Sequence, residues 1–206
     1  MGIGFLVAIA STALLVRGVM ALEATGALAW EGAALRWMIS ELAISFSMAM
    51  WLEGPGNGFV LWGLVLFAAG FASWTNRPVQ ALALLVGHTL SYLLVGLGWW
   101  MWDRSRPQIV MDGIASPGGV FHAFPSGHMV QASFAYGLLL WFWFHSSSNA
   151  LERATTVGVY TLILLAVAFG RLRVGAHWPS DIVGGIAIGI IWVAAVVAAV
   201  RRGEAE

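Results

Sequence analysis

Residues 121–131 read FHAFPSGHMVQ, and this short polar stretch separates two long runs of apolar residues. A Pro and a Ser directly before an apolar run are typical of a helix start. The apolar runs on either side approach the roughly 20 residues that a helix needs to cross a bilayer. The stretch therefore predicts a loop between two membrane-spanning helices.

The whole chain has the composition of an integral membrane protein. Of its 206 residues, 60% are hydrophobic and only 10% are charged, whereas an ordinary soluble domain has roughly 25% charged residues. There is no cysteine, which excludes disulfides and cysteine-ligated metals, and no lysine, so every basic residue is an arginine. The formal net charge of zero argues neither for nor against an anionic partner. The bilayer is the expected partner, and no nucleic acid is expected.

Six segments are predicted to span the membrane, which gives an all-α polytopic helix bundle in a single domain over residues 1–206. The first segment lacks the positively charged start of a signal peptide, so a retained span is expected. Region 27–53 carries Glu31, Arg36 and Glu41 among apolar residues. Interfacial helices are favoured there over a seventh span, because buried charges are costly in a bilayer. The six predicted spans are residues 3–22, 58–75, 79–102, 128–145, 155–171 and 182–200.

Three polar segments are predicted to meet on one face of the membrane, because successive spans alternate in direction. Taken singly, each has an ordinary interpretation, since arginines snorkel at span ends and Pro, Ser and Asp begin helices. Together they supply histidines, a carboxylate, arginines and a helix N-terminus, a combination that suits phosphoryl transfer. The segments are WDRSRPQ at 102–108, PSGH at 125–128 and GRLRVGAHWPSDIVGG at 170–185.

Two other histidines are weaker candidates. His122 is expected to be an ordinary loop residue. His88 lies in the middle of a predicted span, where a transporter would place an ionisable residue of its pathway. A core histidine bonded to a neighbouring helix explains it equally well, so a transporter remains a rival hypothesis.

The polar segments resemble the motifs of the type-2 phosphatidic acid phosphatase superfamily, a family of integral membrane lipid phosphatases. The family pattern is Lys-x6-Arg-Pro, then Pro-Ser-Gly-His, then Ser-Arg-x5-His-x3-Asp. The second motif is complete at 125–128, and the third matches at Arg171, His177 and Asp181. The first matches at Arg106 and the proline after it. The resemblance also implies the six-span fold.

The resemblance implies a role for each matching residue. His177 would be the nucleophile that forms a phosphohistidine, and Asp181 would orient and polarise it. His128 would be the general acid and then the base that activates water. No metal and no other cofactor is implied. The residues that would bind the phosphoryl group are Arg106, Arg171, Ser126 and the amide of Gly127.

Two positions depart from the family pattern. Gly170 replaces the serine that leads the third motif, and Trp99 replaces the lysine of the first. Because tryptophan carries no charge, we hypothesise that Arg104 supplies the missing positive charge to the phosphate pocket. A site with one cation fewer, suited to a less charged head group, is the alternative.

The resemblance implies a metal-independent phosphatase that hydrolyses a lipid phosphate or diphosphate. The substrate candidates are phosphatidic acid, phosphatidylglycerol phosphate, undecaprenyl diphosphate and the phosphate of lipid A. A lipid-to-lipid phosphotransferase of the same family and a non-catalytic lipid-binding member are the alternatives. The expected location is the bacterial cytoplasmic membrane, with the site on the extracytoplasmic face. A raw count of arginines on the two faces does not decide the orientation, but leaving out Arg104, Arg106 and Arg171 as site residues favours it, and the resemblance implies the same orientation. The arginines predicted on the opposite face are Arg77, Arg153, Arg201 and Arg202.

Overall fold

The computed structural model describes residues 2–111, 114–115 and 117–203, and these residues are mostly helical. They form eight α-helices, with a short 3-10 turn at Gly54–Gly56. In the loop between the fifth and sixth helices, two-residue strands β1 (Val110–Met111) and β2 (Ile114–Ala115) pair in antiparallel fashion. The helices are α1 (Gly2–Ala24), α2 (Trp30–Glu41), α3 (Phe46–Glu53), α4 (Gly58–Trp74), α5 (Pro78–Met101), α6 (Gly127–Ser146), α7 (Ala150–Arg173) and α8 (Pro179–Gly203).

Helices occupy all six predicted spans, which confirms the all-α polytopic fold. Within the described part of the chain, α6 is not among the segments that qualify as spans by length and composition, although it has 20 residues. Its polar Gln131 and Ser133 are buried. Neighbouring helices therefore shield these polar side chains from lipid. The five qualifying segments are Gly2–Ala24, Phe46–Trp74, Pro78–Met101, Ala150–Arg173 and Pro179–Gly203.

Region 27–53 forms two short helices rather than a seventh independent span. Helix α2 has 12 residues and α3 has 8, and neither length alone can cross the hydrocarbon core. Ser45 begins α3, because its side chain accepts the backbone N–H of Met48 at 3.2 Å. Helices are thus present between the first two predicted spans, as expected. Helix α3 continues through the 3-10 turn into α4 as one segment, Phe46–Trp74, that is long and apolar enough to span a membrane, so the interfacial location of this region stays a prediction.

Helices α6 and α8 pack closely against each other, and glycines of α8 permit this approach. A Cβ at Gly185 would lie 2.8 Å from the carbonyl oxygen of Ser126, and one at Gly189 would lie 2.8 Å from that of Val130. Small residues let membrane helices bring their backbones together in this way. The backbone N–H of Ser126 also donates to the carbonyl oxygen of Asp181 at 3.1 Å. The start of α6 is thereby fixed beside the start of α8.

Candidate active site

The three polar segments predicted from the sequence converge at one end of the bundle. The loop after α5 carries Arg106, whose Nη1 donates to the carbonyl oxygen of Ala176 at 2.8 Å. The start of α6 reaches the start of α8 through Ser126 and Asp181. Residues far apart in sequence therefore form a single buried cluster.

His177 lies in the centre of this cluster and is only 1% exposed. Its Nδ1 is 2.9 Å from the carbonyl oxygen of Ala123. Because a carbonyl oxygen only accepts hydrogen bonds, Nδ1 carries the ring proton and Nε2 keeps its lone pair. Burial, together with the charges of Arg171 and Arg106, lowers the pKa of His177 well below its ordinary value of 6.5. The ring is therefore neutral at neutral pH, with Nε2 as its unprotonated nitrogen.

Asp181 lies beside the His177 ring and is completely buried. Its Oδ2 accepts the backbone N–H of Trp178 at 2.8 Å and lies 3.6 Å from Nδ1 of His177. Its Oδ1 accepts a hydrogen bond from Arg104 at 2.5 Å. Two fixed donors thus hold the carboxylate next to the imidazole.

Arg106 is anchored by backbone carbonyl groups of the loop before α6. Its Nε donates to Phe121 at 3.0 Å and its Nη2 donates to His122 at 3.1 Å. Burial and the neighbouring Arg171 lower the pKa of Arg106 to about 10, so the guanidinium remains charged at neutral pH. Its Nη1 lies 3.3 Å from Nε2 of His177. Because Nδ1 carries the ring proton, this contact is a hydrogen bond that Nη1 donates to the lone pair of Nε2. A permanent positive charge therefore lies beside the proposed nucleophilic nitrogen.

Nε of Arg171 and Oγ of Ser126 are buried at this site and have no hydrogen-bond partner among the described residues. Each such group costs about 1–3 kcal/mol when it is left unsatisfied. Gly127 and His128 begin α6, where backbone N–H groups have no acceptor within the helix. These donors fit an anion with several oxygens.

His128 joins the same group of charges. Arg171, His177 and Arg106 all act on it electrostatically, so the first turn of α6 lies beside both arginines and the second histidine. The opposite wall is the 3-10 turn, where a Cβ at Gly56 would lie 3.3 Å from Cδ2 of His128. The structure therefore brings together both histidines and two of the predicted phosphate-binding arginines.

Arg104 is surrounded by carboxylates. Its Nη2 donates to Oε2 of Glu31 at 2.9 Å, and its Nε lies 3.1 Å from Oε2 of Glu23. Its Nη1 donates to Asp181 and to the hydroxyl of Ser180. Burial alone would lower the pKa of Arg104, but Asp181, and then Glu23 and Glu31, raise it above the ordinary value. The positive charge of Arg104 is thus already balanced, and its role as a phosphate ligand remains a prediction.

Sequence reasoning missed the acidic residues that approach the site from the N-terminal region. Glu31 accepts the backbone N–H of Ser180 at 2.6 Å in addition to its bond from Arg104. Glu53 accepts a hydrogen bond from Nη1 of Arg171 at 2.8 Å. The available signal was that a charge within an apolar segment needs a partner. Spacing along the chain does not identify which partner.

Trp99 fills the position of the family lysine with an uncharged ring. Its indole N–H donates to the carbonyl oxygen of Pro125 at 3.2 Å, and its ring stacks on His122 with centroids 5.6 Å apart. His122 is half exposed and pairs with Asp103 at 2.9 Å. These contacts fit the expectation that His122 is a loop residue.

His88 is a buried core histidine, but the hydrogen bond expected for it is not present. Neither of its ring nitrogens has a partner among the described residues. Its ring instead packs against aromatic rings, with centroids 4.7 Å from Trp62, 5.4 Å from Tyr92 and 6.4 Å from Phe134. Ring packing, rather than bonding to a neighbouring helix, accounts for its place in the bundle.

The helices and the buried cluster together define an integral membrane protein with a site of two histidines, a carboxylate and arginines at one end of its bundle. The chain belongs to the PAP2 superfamily, whose family model matches residues 80–204. This range begins in α5 and contains all three motif segments. The family suspected from the sequence is confirmed.

Two solved structures have a similar fold. A PAP2-type phosphatidylglycerolphosphate phosphatase from Bacillus subtilis superimposes with a TM-score of 0.78 at 17% identity, over 96% of this chain and 96% of that chain. LpxE from Aquifex aeolicus gives a TM-score of 0.59 at 20% identity, over 81% of this chain and 93% of that chain. At these identities the likeness concerns the fold alone. Comparison with curated protein sequences gives no significant match.

Proposed function

We propose that this protein is a membrane-embedded phosphatase that hydrolyses a lipid phosphate or diphosphate. The observation that carries the proposal is the geometry of His177, whose unprotonated Nε2 accepts a hydrogen bond from the Arg106 guanidinium at 3.3 Å. A phosphoryl oxygen that takes over this guanidinium would bring phosphorus next to Nε2. Buried donors on Arg171 and Ser126, which have no partner among the described residues, favour an anion at the same place. Membership in the PAP2 superfamily and a fold shared with a phosphatidylglycerolphosphate phosphatase support the same reaction.

In the first step, Nε2 of His177 attacks phosphorus and the bond from phosphorus to the lipid oxygen breaks. His128, in its protonated form, gives its proton to the departing oxygen, so that the lipid leaves as an alcohol or a monophosphate. Asp181 stabilises the positive charge that develops on the imidazole, because its carboxylate lies 3.6 Å from Nδ1. The product of this step is a phosphohistidine.

In the second step, water replaces the histidine. His128, now neutral, takes a proton from water, the resulting hydroxide attacks phosphorus, and the bond between phosphorus and Nε2 breaks. Inorganic phosphate leaves and His177 returns to its neutral form. No metal is needed in either step. The groups that hold the phosphoryl oxygens through both steps are Arg106, Arg171, the hydroxyl of Ser126 and the N–H of Gly127.

The proposed substrate is an amphiphile with a compact head group. The site lies at the ends of helices that span the bilayer, at the level expected for lipid head groups. His177 is 1% exposed and Arg106 is 7% exposed, which leaves little room for a large head group. The substrates to test are phosphatidic acid, phosphatidylglycerol phosphate, undecaprenyl diphosphate and the phosphate of lipid A.

The proposed location is the bacterial cytoplasmic membrane, with the site on the extracytoplasmic face. Arginines on the site face are mostly buried in the cluster and the helices around it, among them Arg104, Arg106, Arg171 and Arg173. Buried and paired arginines do not act as loop charges. The exposed arginines of the opposite face therefore dominate the positive-inside count; they are Arg77, Arg153, Arg201 and Arg202.

Phosphate release from the four lipids in detergent, with EDTA present, tests the proposal. Wild type should release phosphate, His177→Ala should not, and His145→Ala at the far end of α6 should match wild type. A radiolabelled phosphoryl group should be trapped on wild type and not on His177→Ala. Phosphate that appears on a second lipid instead of in solution would indicate a phosphotransferase. A wild type that acts on none of the four lipids would leave a lipid-binding role.

A further inference from the structure

Helix α3 lies against the candidate site although it is outside the range of the family match. Its Ala49 forms a small buried apolar cluster with Val174 and Ala176 of the connection between α7 and α8. Just before α3, the carbonyl oxygen of Leu42 accepts a hydrogen bond from Nη2 of Arg173 at 2.9 Å. The helix is thus fixed to the connection that carries the proposed nucleophile.

At position 170, α3 approaches α7 so closely that only glycine fits. A Cβ there would lie 2.7 Å from the carbonyl oxygen of Ala49 and 2.7 Å from the backbone nitrogen of Glu53. The serine of the family pattern would therefore displace α3. Gly170 allows a position of α3 that brings the Glu53 side chain to the next residue of α7.

That next residue is Arg171, and Glu53 forms an ion pair with it. The distance from Oε2 to Nη1 is 2.8 Å, and both side chains are less than a tenth exposed. Nε of the same guanidinium is buried and has no hydrogen-bond partner in the part of the chain that the structure describes. One N–H of Arg171 is therefore held by the protein while another remains available to an anion.

We propose that Glu53 is a positioning residue that holds Arg171 before substrate binds and competes with the phosphoryl group for the charge of this arginine. The inference rests on the function proposed above. A buried carboxylate beside the arginine weakens the attraction of the site for a phosphate dianion. Release of inorganic phosphate after the second step then becomes faster.

Direct binding of inorganic phosphate to the full-length protein in detergent, by titration calorimetry, tests this inference. Glu53→Gln keeps the size of the side chain and a hydrogen-bond acceptor but removes the charge. We expect it to bind phosphate roughly ten-fold more tightly than wild type. Glu41→Gln, which changes an exposed carboxylate of α2, is the matched control and should bind as wild type does.

A second experiment tests whether the effect of Glu53 on phosphate affinity depends on Arg171. In an Arg171→Gln background, Glu53→Gln should tighten phosphate binding less than it does in wild type, because only the direct repulsion between the carboxylate and phosphate is left to remove. Gly170→Ala provides an independent route if Glu53→Gln does not fold, since the added methyl group pushes α3 away from Arg171. It too should tighten phosphate binding. Wild-type or weaker phosphate affinity in Glu53→Gln, or in Gly170→Ala where it replaces that variant, would overturn the proposal.

Turnover separates this inference from the function on which it rests. On a lipid substrate, Glu53→Gln should lower both kcat and KM, because phosphate leaves more slowly. A ten-fold change in phosphate affinity without hydrolysis of any lipid would retain the role of Glu53 and remove the phosphatase proposal. Lipid hydrolysis with unchanged phosphate affinity in Glu53→Gln would retain the phosphatase proposal and remove the role of Glu53.

Discussion

The two parts of the chain contribute opposite charges to the site. Residues from 80 onward, which the family model matches, supply both histidines, Asp181 and every arginine near them. The first 79 residues lie outside that match and supply three carboxylates that bond to these arginines. Buried cations need such partners, because an unpaired charge in the interior is costly. The reacting groups and most of their charge balance are therefore encoded in different parts of the sequence. The three carboxylates belong to Glu23, Glu31 and Glu53.

The largest effect is expected in the second part of the chain, which is residues 80 onward, at the proposed nucleophile. Replacing His177 with Ala removes the nitrogen that attacks phosphorus, and neighbouring groups cannot replace it. Phosphate release should fall by roughly 10³–10⁴-fold or more. Thermal melting in detergent should show that the variant remains folded. Activity within ten-fold of wild type would exclude a covalent histidine mechanism at this position.

A large effect on stability is expected where the two parts meet, at Arg104. Replacing it with Gln leaves the carboxylates of Asp181 and Glu31 buried without their cation. Removal of one partner from a buried pair costs about 3–5 kcal/mol, so the unfolding temperature should fall clearly. Arg36→Gln, at an exposed arginine of α2, should change stability by less than about 0.5 kcal/mol.

A double variant distinguishes charge balance from phosphate binding at Arg104. Adding Glu31→Gln to Arg104→Gln removes one of the uncompensated charges and should restore part of the lost stability. If Arg104 is instead a phosphate ligand, as the sequence suggested, Arg104→Gln should raise KM and leave the unfolding temperature nearly unchanged. Glu31→Gln would then rescue nothing.

The sequence was sufficient to predict the helices and the motif residues, because both depend on local patterns. Apolar runs located the six spans, and alternation of their direction placed 102–108, 125–128 and 170–185 at one end. The partners of Arg104 and Arg171 were not predictable in this way. Glu31 is 73 residues from Arg104, and Glu53 is 118 residues from Arg171. No periodicity links such positions, since only the packing of α2 and α3 on the site brings them together.

A smaller effect is expected from Trp99, where the second part departs from its own family pattern. Trp99→Lys restores the family cation beside the start of α6, where Gly127 is its neighbour. A partly exposed ion pair contributes about 1 kcal/mol or less, so affinity for a lipid diphosphate should rise by up to roughly five-fold. Trp99→Phe, which stays uncharged, should give no such gain. Loss of activity in Trp99→Lys alone would show that the indole bond to Pro125 matters more than the missing charge.

The smallest effect is expected from pH, because His177 should stay neutral over the whole range tested. The groups that keep it neutral all lie in residues 80 onward. Burial, and then Arg171 and Arg106, lower the pKa of His177. A histidine with an ordinary pKa near 6.5 becomes about three-quarters protonated when the pH falls to 6.0, whereas His177 should remain neutral. Its ¹⁵N resonances in detergent micelles should therefore not move between pH 7.5 and 6.0. Arg171→Gln should bring the titration closer to 6.5, because it removes a positive charge that opposes protonation.

Glu53→Gln, from the first part, should leave the His177 resonances unchanged over the same pH range. The glutamate acts on Arg171 at 2.8 Å, and it is not among the groups that shift the pKa of His177. Removing its negative charge can only disfavour the imidazolium further. A His177 titration near pH 6.5 in wild type would contradict the neutral nucleophile. An upward shift of the midpoint in Glu53→Gln would show that the variant also disturbs the second part, and the division between reacting groups and charge balance would no longer hold.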